Sequence, residues 1–209
     1  MINILYRDKY IVVCQKPAGL LSEGEGKDSL PVILCEELAE GGRAPHVYTL
    51  HRLDRETEGV MVYALNEKSA AILSADIAER RFEKQYIAAV NGKPESESGE
   101  MSDLLFYDRQ RNKSFVVDRE RKGVKAASLE YQLLEYDEKS NISKVAIKLH
   151  TGRTHQIRVQ FASRGMPLVN DRKYGAPKNE AFAGIPSLVA KRIAFTHPKT
   201  KEKMTFEIS

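Results

Sequence analysis

Short apolar segments rich in β-branched and aromatic residues recur along this chain, and several come in neighbouring pairs with a polar turn between them. The pairs are Ile2–Tyr6 with Tyr10–Gln15, Leu129–Tyr136 with Lys144–His150, and Val189–Thr196 with Met204–Ile208. A turn of a few residues joins antiparallel strands, whereas parallel strands need a long crossover. Predicted strands outnumber predicted helices by roughly three to one. The pattern therefore predicts an α+β fold with a mixed, mostly antiparallel β-sheet core and flanking helices, rather than a doubly wound fold.

Three helices are predicted, at about residues 29–39, 66–79 and 154–163. Asn66 is a suitable N-cap for the second helix. The inward face of this helix is expected to carry Ala71, Ala75 and Ala78, or Ile72. Strands are also expected at Val47–Leu53 and Val60–Asn66. Residues 93–101 are polar and are expected to be exposed.

Composition limits the class of protein. The 209 residues are 42% hydrophobic and 30% charged, which suits a single globular domain over residues 1–209. Charges interrupt the first residues, and no apolar run approaches the length of a membrane span, so we expect neither a signal peptide nor a membrane segment. Two cysteines exclude a disulfide scaffold, and a cytoplasmic location is expected. The net charge of +4 permits a polyanionic partner without identifying one.

Several motifs are missing from the sequence. There is no Gly-x-Gly-x-x-Gly and no Walker A sequence, so a nucleotide cofactor has no support. None of the five histidines has the spacing of a zinc motif, and no metal site is expected. No Gly-x-Ser-x-Gly elbow indicates a serine hydrolase.

The densest polar group of the chain is residues 51–59, which read HRLDRETEG between two predicted strands. Asp54 lies between Arg52 and Arg55, and nearby positive charge keeps a carboxylate ionised. An ionised, fixed aspartate suits nucleophilic or general-base work. The alternative is a solvated turn whose aspartate caps a backbone group, and the charge pattern alone favours that alternative.

A second polar group, residues 151–158, reads TGRTHQIR at the start of the third predicted helix. Free backbone N–H groups at a helix start favour anions, and Arg153, His155 and Arg158 in the first turn would strengthen that preference. Arg158 lies at the border of the apolar face and could reach a partly buried carboxylate with two hydrogen bonds. Surface arginines on an amphipathic helix explain the pattern equally well.

Two further features could serve nucleic-acid binding. Tyr86, on a predicted strand, could stack on a base, although a core position explains it better in isolation. Residues 108–125 form the most basic stretch, which includes Arg109, Arg111 and Lys113 and could follow a phosphate backbone. Such a stretch is more often a solvated loop.

Taken together, these motifs resemble the RluA family of RNA pseudouridine synthases over about residues 4–206. KPAGLL at residues 16–21 is similar to the family's KPxGLL turn, and residues 51–59 resemble its HRLDxxTSG motif. Residues 84–86 look like its KxY strand, and TGRTHQIRV at residues 151–159 matches without a change. Residues 166–175 are similar to xPLxGDxxYG, and residues 195–198 to FxHP. Several separated motifs in the right order are a specific signal.

The resemblance implies isomerisation of uridine to pseudouridine in ribosomal or transfer RNA, with no cofactor and no metal. It implies that Asp54 is the catalytic carboxylate and that Arg158 pairs with it. It also implies that Tyr86 stacks on the flipped base and could assist removal of the C5 proton. Arg52 would fill the gap left by the flipped nucleotide. RNA contacts are expected from His51 and Arg153 and from the basic stretch, with Arg109, Arg111 and Lys113. The S4 RNA-binding domain that is common in the family is expected to be absent, and a monomer is the simplest expectation.

The chain departs from the family pattern at three positions. Glu58 replaces the usual serine, Asn170 replaces glycine, and Gln160 replaces histidine. Two other functions remain open. A non-catalytic RNA-binding protein on the same fold would tolerate loss of the Asp54 charge. The second alternative function is a glycoside hydrolase that uses Asp54 with Glu56 or Glu58. The small number of aromatic residues and the absence of tryptophan argue against a sugar-binding cleft.

Overall fold

The computed structural model describes residues 1–183 and 187–208. The chain divides into two compact units, Met1–Lys84 with Ala190–Ser209, and Gln85–Val189. The strands are β1 (Asn3–Arg7), β2 (Ile11–Lys16), β3 (Tyr48–Thr49), β4 (Glu58–Ala64), β5 (Glu83–Asn91), β6 (Ser98–Asp108), β7 (Lys113–Val117), β8 (Val124–Asp137), β9 (Ile142–Leu149), β10 (Leu188–Thr196) and β11 (Lys203–Glu207). The helices are α1 (Leu30–Glu37), α2 (Glu67–Ala78) and α3 (Gln156–Ala162). The predicted α+β class is confirmed.

The first unit, built from the two ends of the chain, contains a sheet in the order β1-β2-β4-β10, with β3 beside β4 and β11 beside β10. The β1/β2, β2/β4 and β10/β11 pairs are antiparallel. The hairpin pattern predicted the β1/β2 and β10/β11 pairs. The side chains of Ile11–Cys14 and Val60–Ala64 are fully buried and form its core. The predicted strand over residues 47–53 is wrong except at Tyr48–Thr49, because residues 50–53 enter the loop that carries Asp54.

The second unit contains an antiparallel sheet in the order β5-β9-β8-β6-β7. The predicted β8/β9 pair is confirmed, with Leu133 opposite Val145. The expectation that residues 93–101 are wholly exposed is wrong, since β6 begins at Ser98 and Met101 is buried. The basic stretch is only partly a loop, because Lys113–Val117 form β7, which pairs with β6 along its whole length, while residues 118–123 connect β7 to β8.

The helices lie close to their predicted positions. Asn66 caps α2 as predicted, its side chain accepting the Ser69 N–H at 2.9 Å. The prediction that Ala71, Ala75 and Ala78 face inward is wrong, since all three are exposed, whereas Ile72 is half-buried. The buried residues of α2 are Ser69, Leu73 and Asp76. Over residues 1–183 and 187–208, no helix has both the length and the apolar character needed to cross a membrane.

Candidate functional site

The residue expected to act on the substrate, Asp54, lies in the loop of residues 50–57 in the first unit. Its carbonyl accepts the Thr57 N–H at 3.0 Å, which closes a tight turn. On its other side, the Ser22 hydroxyl accepts the Leu53 N–H at 3.2 Å and donates to the Leu53 carbonyl at 2.8 Å. Leu53 and Thr57 are buried, whereas Asp54 is half-buried. The backbone on both sides of Asp54 is therefore held in place.

A buried lysine supports this loop. Lys16, the last residue of β2, has no exposed surface. Its ammonium donates to the carbonyls of Pro17, Leu20 and Arg55 at 2.9, 2.7 and 3.0 Å. Burial lowers the pKa of Lys16 to about 8, and nearby carboxylates, including Asp54, oppose that shift. Lys16 thus joins the Asp54 loop to the turn after β2 and places a positive charge near it.

His51 anchors the beginning of the same loop. Its Nε2 accepts the Val62 N–H at 3.3 Å, and its ring packs against Phe82 at a centroid distance of 5.3 Å. Burial, together with the charge of Lys84, holds the pKa of His51 well below its usual value, so the ring is neutral with its proton on Nδ1. That Nδ1 has no hydrogen-bond partner among the described residues. RNA binding by His51 stays a prediction, and its burial favours an indirect role.

Two arginines flank Asp54 and differ in how firmly they are held. Arg52 makes an ion pair with Glu23 at 2.8 Å, and both side chains are at least half exposed. Exposed pairs contribute about 0–1 kcal/mol, so Arg52 can exchange Glu23 for a phosphate or a base. Arg55 donates from Nε to the Gly19 carbonyl at 2.9 Å and pairs with Asp28 at 3.2 Å. Arg55 therefore fastens the glycine-rich loop that follows β2.

Tyr86 lies on β5 in the second unit, opposite Ile147 of β9. Its side chain is largely buried, on the same face of the strand as Ala88 and Val90. The predicted strand is confirmed. Stacking of Tyr86 on a base stays a prediction.

Arg158 of α3 is held by a carboxylate of its own unit. Its Nε and Nη2 donate to Asp171 Oδ2 and Oδ1 at 2.6 and 2.8 Å. Its guanidinium carbon also lies 5.1 Å from the ring centre of Tyr174. Only 6% of the Asp171 side chain and 17% of the Arg158 side chain are exposed. The orientation of Arg158 is therefore set by a bidentate pair shielded from water.

Tyr174 links this pair to the hairpin and to the turn before α3. Its hydroxyl accepts the Ser114 N–H at 2.8 Å and lies 3.0 Å from His155 Nδ1. Burial raises the pKa of Tyr174 to about 12, so the hydroxyl stays protonated. Ser114 in turn donates to the Thr154 carbonyl at 2.5 Å. The motif segments 151–159 and 166–175 thus meet at one phenol.

The turn before α3 has a different shape from the predicted one. The helix begins at Gln156, so Arg153 precedes it, and His155 is its N-cap with a left-handed φ of 53°. The prediction that both residues lie in the first helical turn is wrong. Gln156 holds the turn by accepting the Thr151 hydroxyl at 2.7 Å and the Arg153 N–H at 3.0 Å. The Arg153 side chain donates to the Ala126 carbonyl at 2.9 Å on β8.

The basic residues predicted to bind RNA lie on the β6–β7 hairpin. Arg109 and Arg111 are exposed at its tip, where Asp108 accepts the Arg111 N–H at 3.1 Å. Lys113 is the first residue of β7, and its ammonium lies 5.0 Å from the ring centre of Tyr174. The hairpin therefore places the Lys113 ammonium beside the aromatic ring that contacts Arg158.

The departures from the family pattern have structural partners. Glu58 begins β4 and accepts the Gln15 amide of β2 at 2.6 Å, so its carboxylate is fastened to the neighbouring strand. Asn170 adopts a left-handed φ of 61°, which asparagine tolerates, and exchanges side-chain hydrogen bonds with the backbone of Asn179 at 2.7 and 3.1 Å. A glycine could adopt the same φ but could not hold Asn179. Gln160 donates to Asp103 at 2.7 Å.

The structure places the predicted site residues in two groups. One loop of the first unit carries His51, Arg52 and Asp54, and the second unit carries Tyr86, Arg109, Arg111, Lys113, Arg153 and Arg158. That Arg158 pairs with Asp54 stays a prediction. In the described part of the chain, no three His, Cys, Asp or Glu side chains gather where they could hold a metal ion.

Sequence reasoning missed three residues of these groups: Lys16, Asp171 and Tyr174. A signal for Lys16 was available, because a lysine that ends an apolar strand must satisfy its charge if it is buried. Asp171 and Tyr174 lie in a segment that the resemblance covered, but nothing local indicates which residues they contact.

Comparison with known proteins identifies the family of this chain. The RNA pseudouridylate synthase family matches residues 10–163 of this chain. An RNA pseudouridine synthase of Aquifex aeolicus, itself uncharacterised, is 37% identical over 99% of this chain and 69% of its own length. The dual-specificity RNA pseudouridine synthase RluA of Escherichia coli is 36% identical over 98% of this chain and 91% of its own.

Solved structures show the same fold. Human RNA pseudouridylate synthase domain containing 4 superposes with a TM-score of 0.78 at 25% identity, over 99% of this chain and 88% of its own. Human RNA pseudouridylate synthase domain containing 1 gives a TM-score of 0.81 at 23% identity, over 100% and 83% of the two chains. This chain therefore belongs to the RluA family of RNA pseudouridine synthases, isomerases that form pseudouridine in RNA.

Proposed function

We propose that the chain isomerises specific uridines in folded ribosomal or transfer RNA, with Asp54 as the catalytic carboxylate. The observation that carries this proposal is the support of the Asp54 loop by a buried ammonium, since Lys16 donates to the Arg55 carbonyl next to Asp54. A fixed backbone keeps the carboxylate in one orientation toward the substrate. The E. coli relative is described as a dual-specificity enzyme, which supports more than one RNA as substrate.

The reaction needs no net oxidation or reduction. The N1–C1′ bond of uridine breaks, the base turns, and a C1′–C5 bond forms. The proton on C5 leaves, and N1 gains a proton. Asp54 acts either by attacking C1′ or by removing a proton from the sugar, and both routes require the ionised carboxylate.

The other site residues serve orientation and binding in this proposal. The target uridine must leave its stack, which costs a few kcal/mol. Tyr86 stacks on the flipped base, Arg52 fills the gap it leaves, and Arg158 pairs with Asp54. The remaining predicted contacts, Arg153, Arg109, Arg111 and Lys113, hold phosphates, and His51 acts by anchoring the loop. Residues 1–209 would act as one catalytic domain and as a monomer in the cytoplasm, where these RNAs are found.

The test is tritium release from RNA labelled at C5 of uridine, measured separately on ribosomal and transfer RNA. We expect the wild-type protein to release tritium and Asp54→Asn to fold and bind RNA without release. Glu56→Gln is the matched control, because it removes an exposed carboxylate from the same loop and should retain turnover.

Release by Asp54→Asn at the wild-type rate would refute the role of Asp54. RNA binding by the wild type without release on either fraction would favour the non-catalytic alternative for these RNAs. Loss of turnover in Glu56→Gln as well as in Asp54→Asn would indicate a two-carboxylate mechanism instead.

A further inference from the structure

The sheet of the second unit has one buried face and one half-buried face where β6, β7 and β8 run together. The buried face carries Leu105 and Ala127, which cluster with Val159 of α3 and with Tyr174. Side chains alternate along each strand, so their neighbours point the other way. The opposite face carries five half-buried apolar side chains, Leu104, Phe106, Phe115, Val117 and Val124. These five residues are called the outer face.

Strand register places the two aromatic residues of the outer face on neighbouring strands. Phe106 of β6 is directly opposite Phe115 of β7 and opposite Val124 of β8. Cross-strand partners on one face have Cβ atoms about 5 Å apart. Phe106 and Phe115 therefore present two rings on the same face of adjacent strands.

Cationic side chains lie over both rings. The Arg121 guanidinium is 4.8 Å from the ring centre of Phe106, and the Lys113 ammonium is 5.7 Å from that of Phe115. Gly123, at a left-handed φ of 89°, lies beside the Phe106 ring, which an added Cβ would contact at 3.5 Å. A nucleobase can stack on an arginine plane or on an aromatic ring, so Arg121 over Phe106 offers both.

The net positive charge of the chain is concentrated in the basic stretch. Residues 108–125 contain seven lysines and arginines, namely Arg109, Arg111, Lys113, Arg119, Arg121, Lys122 and Lys125, against three acids, Asp108, Asp118 and Glu120. That excess equals the net charge of +4 of all 209 residues. The remainder of the chain therefore carries no net charge, and attraction to a polyanion is centred on the basic stretch.

We propose that the outer face binds unpaired nucleotides of the substrate RNA, stacking bases on Phe106 and Phe115 while the hairpin cations hold the phosphates. The proposal rests on the proposed function and names its substrate class: RNA with an unpaired segment near the target uridine. A duplex hides the faces of its bases, so it could use the cations but not the rings. A protein partner would not need the positive charge, and a phosphate-binding surface alone would not need two adjacent rings.

The test is fluorescence anisotropy with a labelled oligouridine of about 12 nucleotides and an RNA duplex of similar length. Phe106→Leu and Phe115→Leu keep an apolar side chain but remove the ring. We expect each to weaken oligouridine binding by about fivefold, the lower end of the range for stacking because leucine retains apolar contact. Duplex binding should be unchanged. Arg121→Gln should lower the slope of log affinity against log salt by about 0.7 for a single strand.

The chain offers matched controls at the other end of β8. Tyr136 is a half-buried aromatic residue with the Lys93 ammonium 5.1 Å from its ring centre, but acids surround it in the sequence. Tyr136→Leu and Lys139→Gln should leave both affinities and the salt slope unchanged. Thermal unfolding of each variant checks that the fold is retained.

Wild-type affinity in both phenylalanine variants would overturn the proposal. Equal weakening toward oligouridine and duplex would also overturn it, since stacking on unpaired bases would not produce that result. Tritium release by the wild type is measured independently. A protein that binds oligouridine through the rings but releases no tritium would therefore refute the proposed substrates and not the outer face.

Discussion

Asp171→Asn is the substitution that tests most directly how the second unit prepares Arg158. The aspartate accepts two hydrogen bonds from one guanidinium, at 2.6 and 2.8 Å, with 6% of its own side chain exposed. Asparagine retains one acceptor oxygen, but its NH₂ group would face the second N–H donor of Arg158. The charge that complements the arginine is lost as well.

The magnitude follows from burial. Two unit charges about 4 Å apart attract by about 4 kcal/mol at an effective dielectric constant of 20. Desolvation of both groups offsets part of this attraction, and the partial exposure of Arg158 reduces it further. We expect Asp171→Asn to lower the free energy of unfolding by about 2 kcal/mol, as is typical of a lost hydrogen bond to a charged group. Because Arg158 would lose its orientation, kcat should fall by about 10- to 100-fold.

Urea unfolding and tritium release together give the result. Asp103→Asn is the matched control, because Asp103 makes a similar pair with Arg164, at 3.0 and 3.3 Å, elsewhere in the second unit. That control should lose stability and retain kcat. Arg158→Lys shows whether turnover depends on Arg158. If it does, and Asp171→Asn loses stability but keeps its kcat within about twofold, Asp171 is not a positioning residue.

Three further expectations follow from the first unit. Gly59→Ala should fail to fold or lose more than about 3 kcal/mol of stability in thermal unfolding, because a Cβ there would lie 2.3 Å from the Ala190 carbonyl oxygen at a φ of 140°; a stable variant would contradict this close approach. Glu58→Ser, which restores the family residue and removes the hydrogen bond with Gln15, should keep tritium release within about twofold. The pKa of Lys16 is lowered from 10.5 to about 8 in the folded chain. Between these pH values the unfolded chain therefore binds more protons than the folded chain. Because of this difference, the contribution of Lys16 to the free energy of unfolding rises with pH. Turnover should fall between about pH 8 and 10.5, because the positive charge near Asp54 is lost there. Urea unfolding and tritium release are measured over a pH series. A parallel fall of stability and turnover would contradict the expectation.

Much of the local structure could be predicted because it depends on short-range patterns. Alternating apolar residues and polar turns predicted the hairpins of β1 with β2, β8 with β9, and β10 with β11. The motif resemblance identified the Asp54 loop and the segment before α3, because the residue types and their spacing are visible along the chain. The inward face of α2 was mispredicted, since alanines fit either side of a helix and burial depends on which neighbours cover it.

The sequence was enough to predict the class of fold, three hairpins and the family that the chain resembles. How the side chains support one another depends on the folded chain: Lys16 reaches the Arg55 carbonyl 39 residues away, and Asp171 holds Arg158 across 13 residues. Folding also places Phe106 opposite Phe115 on the outer face. These contacts depend on strand register, burial and the direction of each side chain. Residues close in the sequence determine their own backbone preferences, whereas a hydrogen bond between distant residues exists only once the chain has brought both to the same place.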